Sequence, residues 1–207
     1  MAPLTTLIAL TGKHVALEPL SLMHHDELCA ATRDGELWTL WYTIVPSPED
    51  MRAEIERRLV LHQQGSMLPF AVRHLASGRV VGMTTYMNID EKNRRVEIGS
   101  TWYARSVQRS ALNTECKLLL LTHAFETLEC IAVEFRTSFF NHQSRRAIER
   151  IGAKQDGMLR NHMRMPDGTL RDTCVYSILP SEWPGVKKNL LFRLAAPDKV
   201  LPGGRDV

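Results

Sequence analysis

Apolar residues recur along the chain at spacings that alternate between those of strands and those of helices. Val15–Pro19 alternates as a first strand. Two helices are predicted after it: one is capped by Ser21 and ends near Thr32, and the other begins at Ser47-Pro48. Three strand-type segments separated by turn residues then predict an antiparallel meander, at 68–74, 80–87 and 94–103.

The second half of the chain returns to helical spacing and then to strands. Five residues four apart predict one strongly apolar helix: Leu112, Cys116, Leu120, Ala124 and Leu128. A buried strand at 131–137 follows, then a short helix from Asn141 to Gly152, and strands 154–165 and 170–179. The predicted order β-α-α-β-β-β-α-β-α-β-β indicates an α/β (α+β) fold, in which helices flank a mixed, mostly antiparallel sheet.

Length and composition fit a single domain. The chain has 207 residues, of which 44% are hydrophobic and 24% charged. We expect one domain at 1–183 and a C-terminal tail at 184–207, because the Pro, Gly and Lys content from Trp183 onward suggests a mobile or partner-docked segment. A net charge of +3 fits an anionic ligand but falls well short of a nucleic-acid-binding signature.

Other compositional features point to a cytoplasmic protein. Residues 1–12 lack a basic region and a cleavage site, so they predict neither a signal peptide nor a membrane span. The four cysteines show no paired spacing and sit in apolar patterns, which favours reduced packing residues. The eight histidines are scattered without a metal-ligand spacing.

The segment 105–113 runs from a strand into a helix and is the first candidate for ligand binding. A helix N-terminus supplies free backbone N–H groups and a positive dipole end, which suit a pyrophosphate. Arg105 and Arg109 add permanent positive charge beside it. Taken alone, an ordinary strand-to-helix connection with two solvated arginines explains the segment better.

A second candidate segment opens the later short helix. Asn141 is among the best N-cap residues, and capping is the ordinary explanation for it. The functional alternative adds a hydrogen bond from Asn141 to an amide-bearing ligand arm. Ser144, one turn later, could then donate its hydroxyl proton to a leaving thiolate.

A third candidate lies on the strand before the loop. Gly99 inside a strand indicates a bulge or a close approach of a ligand to the backbone. The carboxylate of Glu97 near such a bulge could deprotonate an amine. An ion pair of Glu97 with Arg94 or Arg95 on a solvent face explains the same residue equally well.

Five segments in this order resemble the pattern of the GNAT acyltransferase superfamily, in its RimJ/RimL-type branch. They are residues 78–82, 97–99, 108–115, 141–144 and 151–153. The resemblance implies an N-acetyltransferase that moves an acetyl group from acetyl-coenzyme A to a primary amine. A protein N-terminus, a lysine or a small-molecule amine could be the acceptor, and a homodimer is compatible with the pattern. No metal, nucleic acid or membrane partner is expected.

The resemblance also assigns roles to residues. The coenzyme A pyrophosphate would lie on the loop 108–113, with pantetheine between the strand that ends at Trp102 and the strand at Val133. Glu97 and Ser144 are the expected catalytic residues. The expected cofactor-binding residues are Trp102, Arg105, Gln108, Arg109, Ser110, Ala111, Leu112, Asn113 and Asn141. The aromatic residues Trp38, Trp41 and Tyr42 either wall the acceptor pocket or form the core under a lid, and we favour the pocket.

The loop departs from the family pattern Gln/Arg-x-x-Gly-x-Gly/Ala at two positions. Ala111 replaces the first glycine and Asn113 the second. A Cβ on Ala111 is expected to take up space near the phosphate and to disfavour a positive φ, whereas asparagine tolerates the left-handed region. The departure keeps two alternatives open: a non-catalytic GNAT-fold protein that binds acyl-coenzyme A, and a mainly structural partner of another protein.

Overall fold

The computed structural model describes residues 3–195, and an eight-stranded sheet forms the centre of this part of the chain. The strands are β1 Leu10–Thr11, β2 Val15–Pro19, β3 Met67–His74, β4 Arg79–Asp90, β5 Arg95–Tyr103, β6 Ala132–Ser138, β7 Lys154–Arg164 and β8 Leu170–Ile178. The helices are α1 His25–Arg33, α2 Met51–Gln63, α3 Ala111–Thr122, α4 His142–Ile151 and α5 Trp183–Ala195. Short 3₁₀ turns occupy Leu22–His24, Leu37–Thr39 and Arg105–Val107, and α3 continues as a π turn over His123–Thr127.

The strands follow the order β1-β2-β3-β4-β5-β6-β8-β7, and every neighbouring pair is antiparallel except β5 and β6. This confirms the predicted mixed, mostly antiparallel sheet flanked by helices. The predicted sequence of elements is confirmed as well, with two additions, the short strand β1 and the helix α5.

The parallel pair β5 and β6 touches over only part of its length. Its register is Arg95 with Ala132, Val96 with Val133 and Glu97 with Glu134, and pairing stops there. Strand β5 nevertheless continues to residue 103 and β6 to residue 138. The two central strands of the sheet therefore separate beyond Glu97 and Glu134 and leave a gap between them.

A bulge lies on β5 beside this gap, as the glycine in the strand predicts. The register with β4 shifts between Thr85, which faces Gly99, and Met83, which faces Trp102. The residue with left-handed backbone is the next one, Ser100, with φ of 47°. A Cβ at Gly99 would lie 2.6 Å from the sulfur of Met87 and 2.8 Å from a carboxylate oxygen of Glu97, so both side chains would have to shift to admit one.

The apolar helix α3 packs as its period predicts. The five predicted residues spaced four apart run through α3 and its π turn to the residue that follows, and they are at most 2% exposed: Leu112, Cys116, Leu120, Ala124 and Leu128. The hydroxyl of Tyr86 on β4 donates to the backbone oxygen of Leu120 at 2.5 Å and ties the helix to the sheet. All four cysteines are free and buried, which confirms that they are reduced packing residues.

Helix α2 begins later than its start signals predict. Asp50 is its N-cap and Met51 its first residue, so Pro48 lies in a turn before the helix. The side chain of Ser47 still accepts a hydrogen bond from the Asp50 amide at 3.2 Å. The start signal therefore stabilises the turn that leads into the helix rather than its first turn.

The predicted tail begins with a helix that docks on the domain. Trp183, Val186 and Leu190 of α5 are buried at helical spacing, and α5 packs against α3. The indole N–H of Trp183 donates to Glu126 at 2.7 Å. Proline and glycine usually indicate a segment that is not helical. Here Pro184 and Gly185 stand in the first turn of α5, where proline is tolerated. Residues 196–207 of the expected tail lie outside the described residues, and no helix within 3–195 is long and apolar enough to cross a membrane.

Candidate active site

The loop between β5 and α3 is held in shape by its own side chains. The amide of Gln108 donates to the backbone oxygen of Tyr103 at 2.9 Å, which fixes the loop to the end of β5. The Ser110 hydroxyl donates to the oxygen of Val107 at 2.7 Å. It also accepts from the Leu112 amide at 3.3 Å as the N-cap of α3. The start of α3 is thus fixed beside the open end of β5.

Backbone donors on this loop are free to bind a ligand. Within residues 3–195, the N–H groups of Arg109, Ser110 and Ala111 have no hydrogen-bond partner, and the first two residues are exposed. The guanidinium groups of Arg105 and Arg109 belong to exposed residues of the same segment. Unpaired N–H groups at a helix N-terminus, with cations beside them, form a site suited to phosphate oxygens.

The expectation that a Cβ at Ala111 opposes the required backbone conformation is wrong. Ala111 and Asn113 lie in the first turn of α3, and neither has a positive φ. The residue with left-handed backbone is Arg109, whose φ is 61°. The two departures from the family pattern therefore stand at helical positions, where alanine and asparagine cause no backbone strain.

Asn141 caps α4 as predicted. Its side-chain oxygen accepts a hydrogen bond from the Ser144 amide at 3.0 Å, and its own amide donates to the oxygen of Ser138 at the end of β6. The side-chain NH₂ of Asn141 and the hydroxyl of Ser144 have no hydrogen-bond partner within the described chain, and both residues are partly exposed. Both groups are therefore available at the open end of β6.

Glu97 is buried at the point where β5 and β6 separate. It is 5% exposed, and its carboxylate accepts a hydrogen bond from the Asn88 side chain at 2.7 Å. The Arg136 Nε atom lies 3.4 Å from the same oxygen, as an ion-pair contact rather than a directed hydrogen bond. Burial raises the pKa of Glu97, and the contacts with Asn88 and Arg136 offset part of that shift. A carboxylate with a raised pKa is a better proton acceptor than a solvated one.

The alternative explanation of Glu97 as half of a surface ion pair with a neighbouring arginine is wrong. Arg94 contacts Glu91 and the backbone oxygen of Leu128, and Arg95 pairs with Glu134 on β6. Arg95 stands at the exposed start of β5, where Glu134 on β6 takes its guanidinium, whereas Arg94 lies in the turn before the strand.

A buried arginine that the sequence pattern did not single out supports the β5 bulge. Arg58 on α2 is 2% exposed, and its guanidinium donates to the Thr85 hydroxyl at 2.7 Å and to the Ser100 oxygen at 3.4 Å. Glu54, one turn earlier, accepts from its Nε at 2.7 Å. A charged residue on a helix is most often solvated, so only the packing of α2 on the sheet reveals this contact.

Aromatic side chains from two loops meet near Asn141. The ring of Trp41 lies 5.4 Å from that of Phe140 and 5.7 Å from that of Tyr42, and Phe140 also contacts Phe139. Trp41 is 61% exposed, so it does not form a core under a lid. Trp38 is partly exposed and makes no ring contact within residues 3–195. We call Trp41, Tyr42, Phe139 and Phe140 the aromatic rim.

Trp102 lies on the part of β5 that has separated from β6. It is 6% exposed, and its indole N–H is buried without a hydrogen-bond partner in the described chain. Among residues 3–195, no group of three or more His, Cys, Asp or Glu side chains is placed to hold a metal ion. The groups around the gap are one buried carboxylate, hydroxyl and amide donors, and the anion site.

Several known proteins resemble this chain in sequence or fold. The family model described as "Acetyltransferase (GNAT) domain" matches residues 14–154. A GCN5-related N-acetyltransferase from Brucella melitensis has a similar structure, with a TM-score of 0.82 and 34% identity over 92% of this chain and 86% of that one. The structure of Mycobacterium smegmatis RimJ in complex with CoA-disulfide has a TM-score of 0.74 at 20% identity, covering 86% of this chain and 88% of that one, which is a likeness of fold alone.

A relative from Bacillus subtilis matches a shorter stretch of the chain at a similar identity. YdaF of Bacillus subtilis (strain 168), a protein named for ribosomal N-acetyltransferase activity, is 35% identical over 113 residues. The match covers 55% of this chain and 61% of YdaF, so it spans less than two thirds of that relative.

Proposed function

Because the chain belongs to the GNAT acetyltransferase family, we propose that it transfers an acetyl group from acetyl-coenzyme A to a primary amine. One observation carries the proposal: the gap between β5 and β6 opens beside a helix N-terminus with three free backbone amides. A buried carboxylate, Glu97, stands where that gap begins. An anion site, a slot for an extended arm and a base are the parts that such a transfer needs.

The residues around the gap suit the charge and the hydrogen-bonding groups of coenzyme A. The amides of Arg109, Ser110 and Ala111, with the guanidinium of Arg105, would hold the pyrophosphate. Gln108 and Leu112 would act by shaping this loop, since their polar groups are already bonded within it. Unpaired donors on Asn141 and Trp102 would face the arm that lies in the gap.

Acetyl-coenzyme A, when bound, would supply the acetyl group as an activated thioester. Glu97 would accept a proton from the attacking amine, directly or through one water molecule, because burial raises its pKa. Backbone N–H groups around Ile98–Trp102 would stabilise the charge that develops on the carbonyl oxygen. The Ser144 hydroxyl, which has no partner of its own in the described chain, would donate to the departing sulfur.

The acceptor would approach past the aromatic rim. Apolar and cation–π contacts with exposed rings such as Trp41 suit a chain that ends in an amine. The name of YdaF, a ribosomal N-acetyltransferase, supports an amine of a ribosomal component as the acceptor. The non-catalytic alternative loses the part of its motive that rested on backbone strain, since Ala111 and Asn113 stand at unstrained helical positions.

A panel of amine acceptors, assayed by the release of free thiol from acetyl-coenzyme A, tests the proposal. Glu97→Gln should lower kcat/KM by roughly 10²–10⁴-fold, because it keeps a hydrogen-bond acceptor for Asn88 but removes the base. Glu134→Gln is the matched control, since Glu134 is a neighbouring carboxylate already paired with two arginines. Equal activity of Glu97→Gln and wild type would reject Glu97 as the base.

The pH profile gives a second outcome of the same assay. The base must be ionised, so activity should fall as the pH falls through the pKa of Glu97. Because burial raises that pKa, the loss should begin at a higher pH than an ordinary glutamate would give. A profile whose acid limb lies at the pKa of a solvated glutamate would contradict the assignment.

A further inference from the structure

Lys117 on α3 carries a buried ammonium group that the proposed chemistry has not used. The residue is 7% exposed. Its Nζ atom donates to the Thr101 hydroxyl at 3.4 Å and lies 6.0 Å from the centre of the Phe135 ring. Within residues 3–195, no carboxylate forms an ion pair with it. The contacts around this charge are therefore one long hydrogen bond and an aromatic ring.

The two contacts of Lys117 locate the ammonium at the gap. Thr101 belongs to β5 and Phe135 to β6, and both lie beyond Glu97 and Glu134, where the strands no longer pair. The ammonium is thus bordered by one residue from each separated strand. It stands on the α3 side of the opening.

Nearby ionisable groups on α3 do not neutralise this charge. The carboxylate of Glu115 is occupied by three backbone amides, those of Lys13, His14 and Val15. Burial raises the pKa of the Cys116 thiol to about 12, so it stays neutral. The facing side chains on β5 and β6, Thr101 and Phe135, are uncharged.

A buried cation without an anion is costly to retain. Burial lowers the pKa of Lys117 to about 8, so the group is still mostly protonated at neutral pH. An ammonium group has three donors, and beyond the long hydrogen bond to Thr101 the remaining N–H groups of Lys117 can serve a partner from outside the protein. The gap between β5 and β6 is the place from which such a partner could reach Nζ.

We infer that Lys117 donates a hydrogen bond to the carbonyl oxygen of an acyl thioester bound between β5 and β6. This inference rests on the proposed function and adds a residue to it. The ammonium would orient the carbonyl and favour negative charge on its oxygen, in the manner of an oxyanion-hole donor. Free coenzyme A lacks this carbonyl, so the contact distinguishes the acylated from the spent cofactor.

Calorimetric titration of Lys117→Met tests the contact, because methionine keeps the length of the side chain without the ammonium. We expect roughly tenfold weaker binding of acetyl-coenzyme A and a change of less than about threefold for free coenzyme A. Lys92→Met, at an exposed lysine in the turn between β4 and β5, is the matched control and should bind both ligands as wild type does. Equal affinities of Lys117→Met and wild type for acetyl-coenzyme A would overturn the inference.

The thermal midpoint of the ligand-free variant separates a binding role from a structural one. Removing an unpaired buried charge should leave that midpoint unchanged or raise it. A lower midpoint together with unchanged affinity for acetyl-coenzyme A would make Lys117 a structural residue and contradict the inference.

The wild-type protein offers an independent measurement by NMR of the labelled lysine side chains. If acetyl-coenzyme A binds about tenfold more tightly when Lys117 is protonated, saturation with this ligand should raise the pKa of Lys117 by about one unit. An unchanged or lowered pKa would overturn the inference while leaving the proposed function intact. If wild type binds no acetyl-coenzyme A at all, the inference and the proposed function both fail.

Discussion

Arg109 combines a charge beside the proposed anion site with a strained backbone. Its φ of 61° costs a non-glycine residue about 1–2 kcal/mol. Arg109→Gly removes both the charge and the strain, whereas Arg109→Ala removes the charge alone. We therefore expect the glycine variant to unfold with a free energy about 1 kcal/mol above that of the alanine variant.

The two variants should agree in ligand binding. Both lack the guanidinium, so both should bind coenzyme A more weakly than wild type and by a similar factor. Denaturant unfolding and calorimetry measure the two quantities separately. Equal stability of the variants would contradict the left-handed backbone, and wild-type affinity in both would remove Arg109 from the anion site.

Asn141 and Ser144 allow a similar separation of stability from function. Asn141→Ala should cost about 1 kcal/mol of unfolding free energy through the lost cap and should also weaken coenzyme A binding. Asn141→Asp keeps the capping oxygen but loses the amide donor, so only binding should suffer. Ser144→Ala should lower turnover and leave affinity and stability close to wild type; full turnover in this variant would rule out its proposed role.

At the scale of elements, Glu115 ties α3 to the start of the sheet. One of its oxygens accepts the Lys13 amide at 2.8 Å, and the other accepts the amides of His14 and Val15 at 2.6 and 2.9 Å. A Cβ at Gly12 would lie 2.4 Å from the carboxyl carbon, so the turn closes directly over this side chain. The carboxylate thus positions the helix whose N-terminus forms the anion site.

Glu115→Gln should lower the unfolding free energy by about 1.5–3 kcal/mol, because an NH₂ group would then face a buried backbone donor. Glu129→Gln is the matched control, since Glu129 is exposed and should tolerate the change within about 0.5 kcal/mol. Denaturant unfolding of the two variants gives the comparison. A stable Glu115→Gln variant would mean that the turn closes without this carboxylate.

The sequence predicted those elements whose own residues show a clear apolar period, turn residues or a helix cap. The meander, the leucine-rich helix α3 and the capped helix α4 follow from period, turn residues and caps, and the structure confirms them. The helix α5 was not predicted because Pro184 and Gly185 indicate a non-helical segment. Strand β1 was not predicted because its two residues are too few to show a pattern. Helix α2 starts about one turn later than predicted, because the Ser47 side chain stabilises the preceding turn and not the helix.

The parts of the candidate site that depend on local sequence were predicted, and the parts that depend on packing were not. The helix N-terminus and the Asn141 cap are local features, so the residues of one segment are enough to predict them. The burial of Glu97, the support of the bulge by Arg58 and the position of Lys117 all depend on elements distant in the chain. Such contacts arise only when the sheet and helices pack, so no spacing within one segment could indicate them.

At the scale of the whole molecule, one topological feature brings the parts of the site together. The sheet changes from antiparallel to parallel pairing between β5 and β6, and these strands share only three residue pairs. The following segments, the loop into α3 and the loop into α4, both leave from the separated ends. The anion site, the available groups of Asn141 and Ser144, and the buried Glu97 are therefore grouped around one gap.

Calorimetric titration of the wild-type protein with acetyl-coenzyme A tests this account most directly. The free amides of the loop, its two arginines and the gap between β5 and β6 predict binding with a dissociation constant in about the micromolar range. At about 100 times that concentration, the ligand should also raise the unfolding free energy by about 2.7 kcal/mol. An absence of both heat and stabilisation at millimolar ligand would contradict the assignment of the gap as a cofactor site.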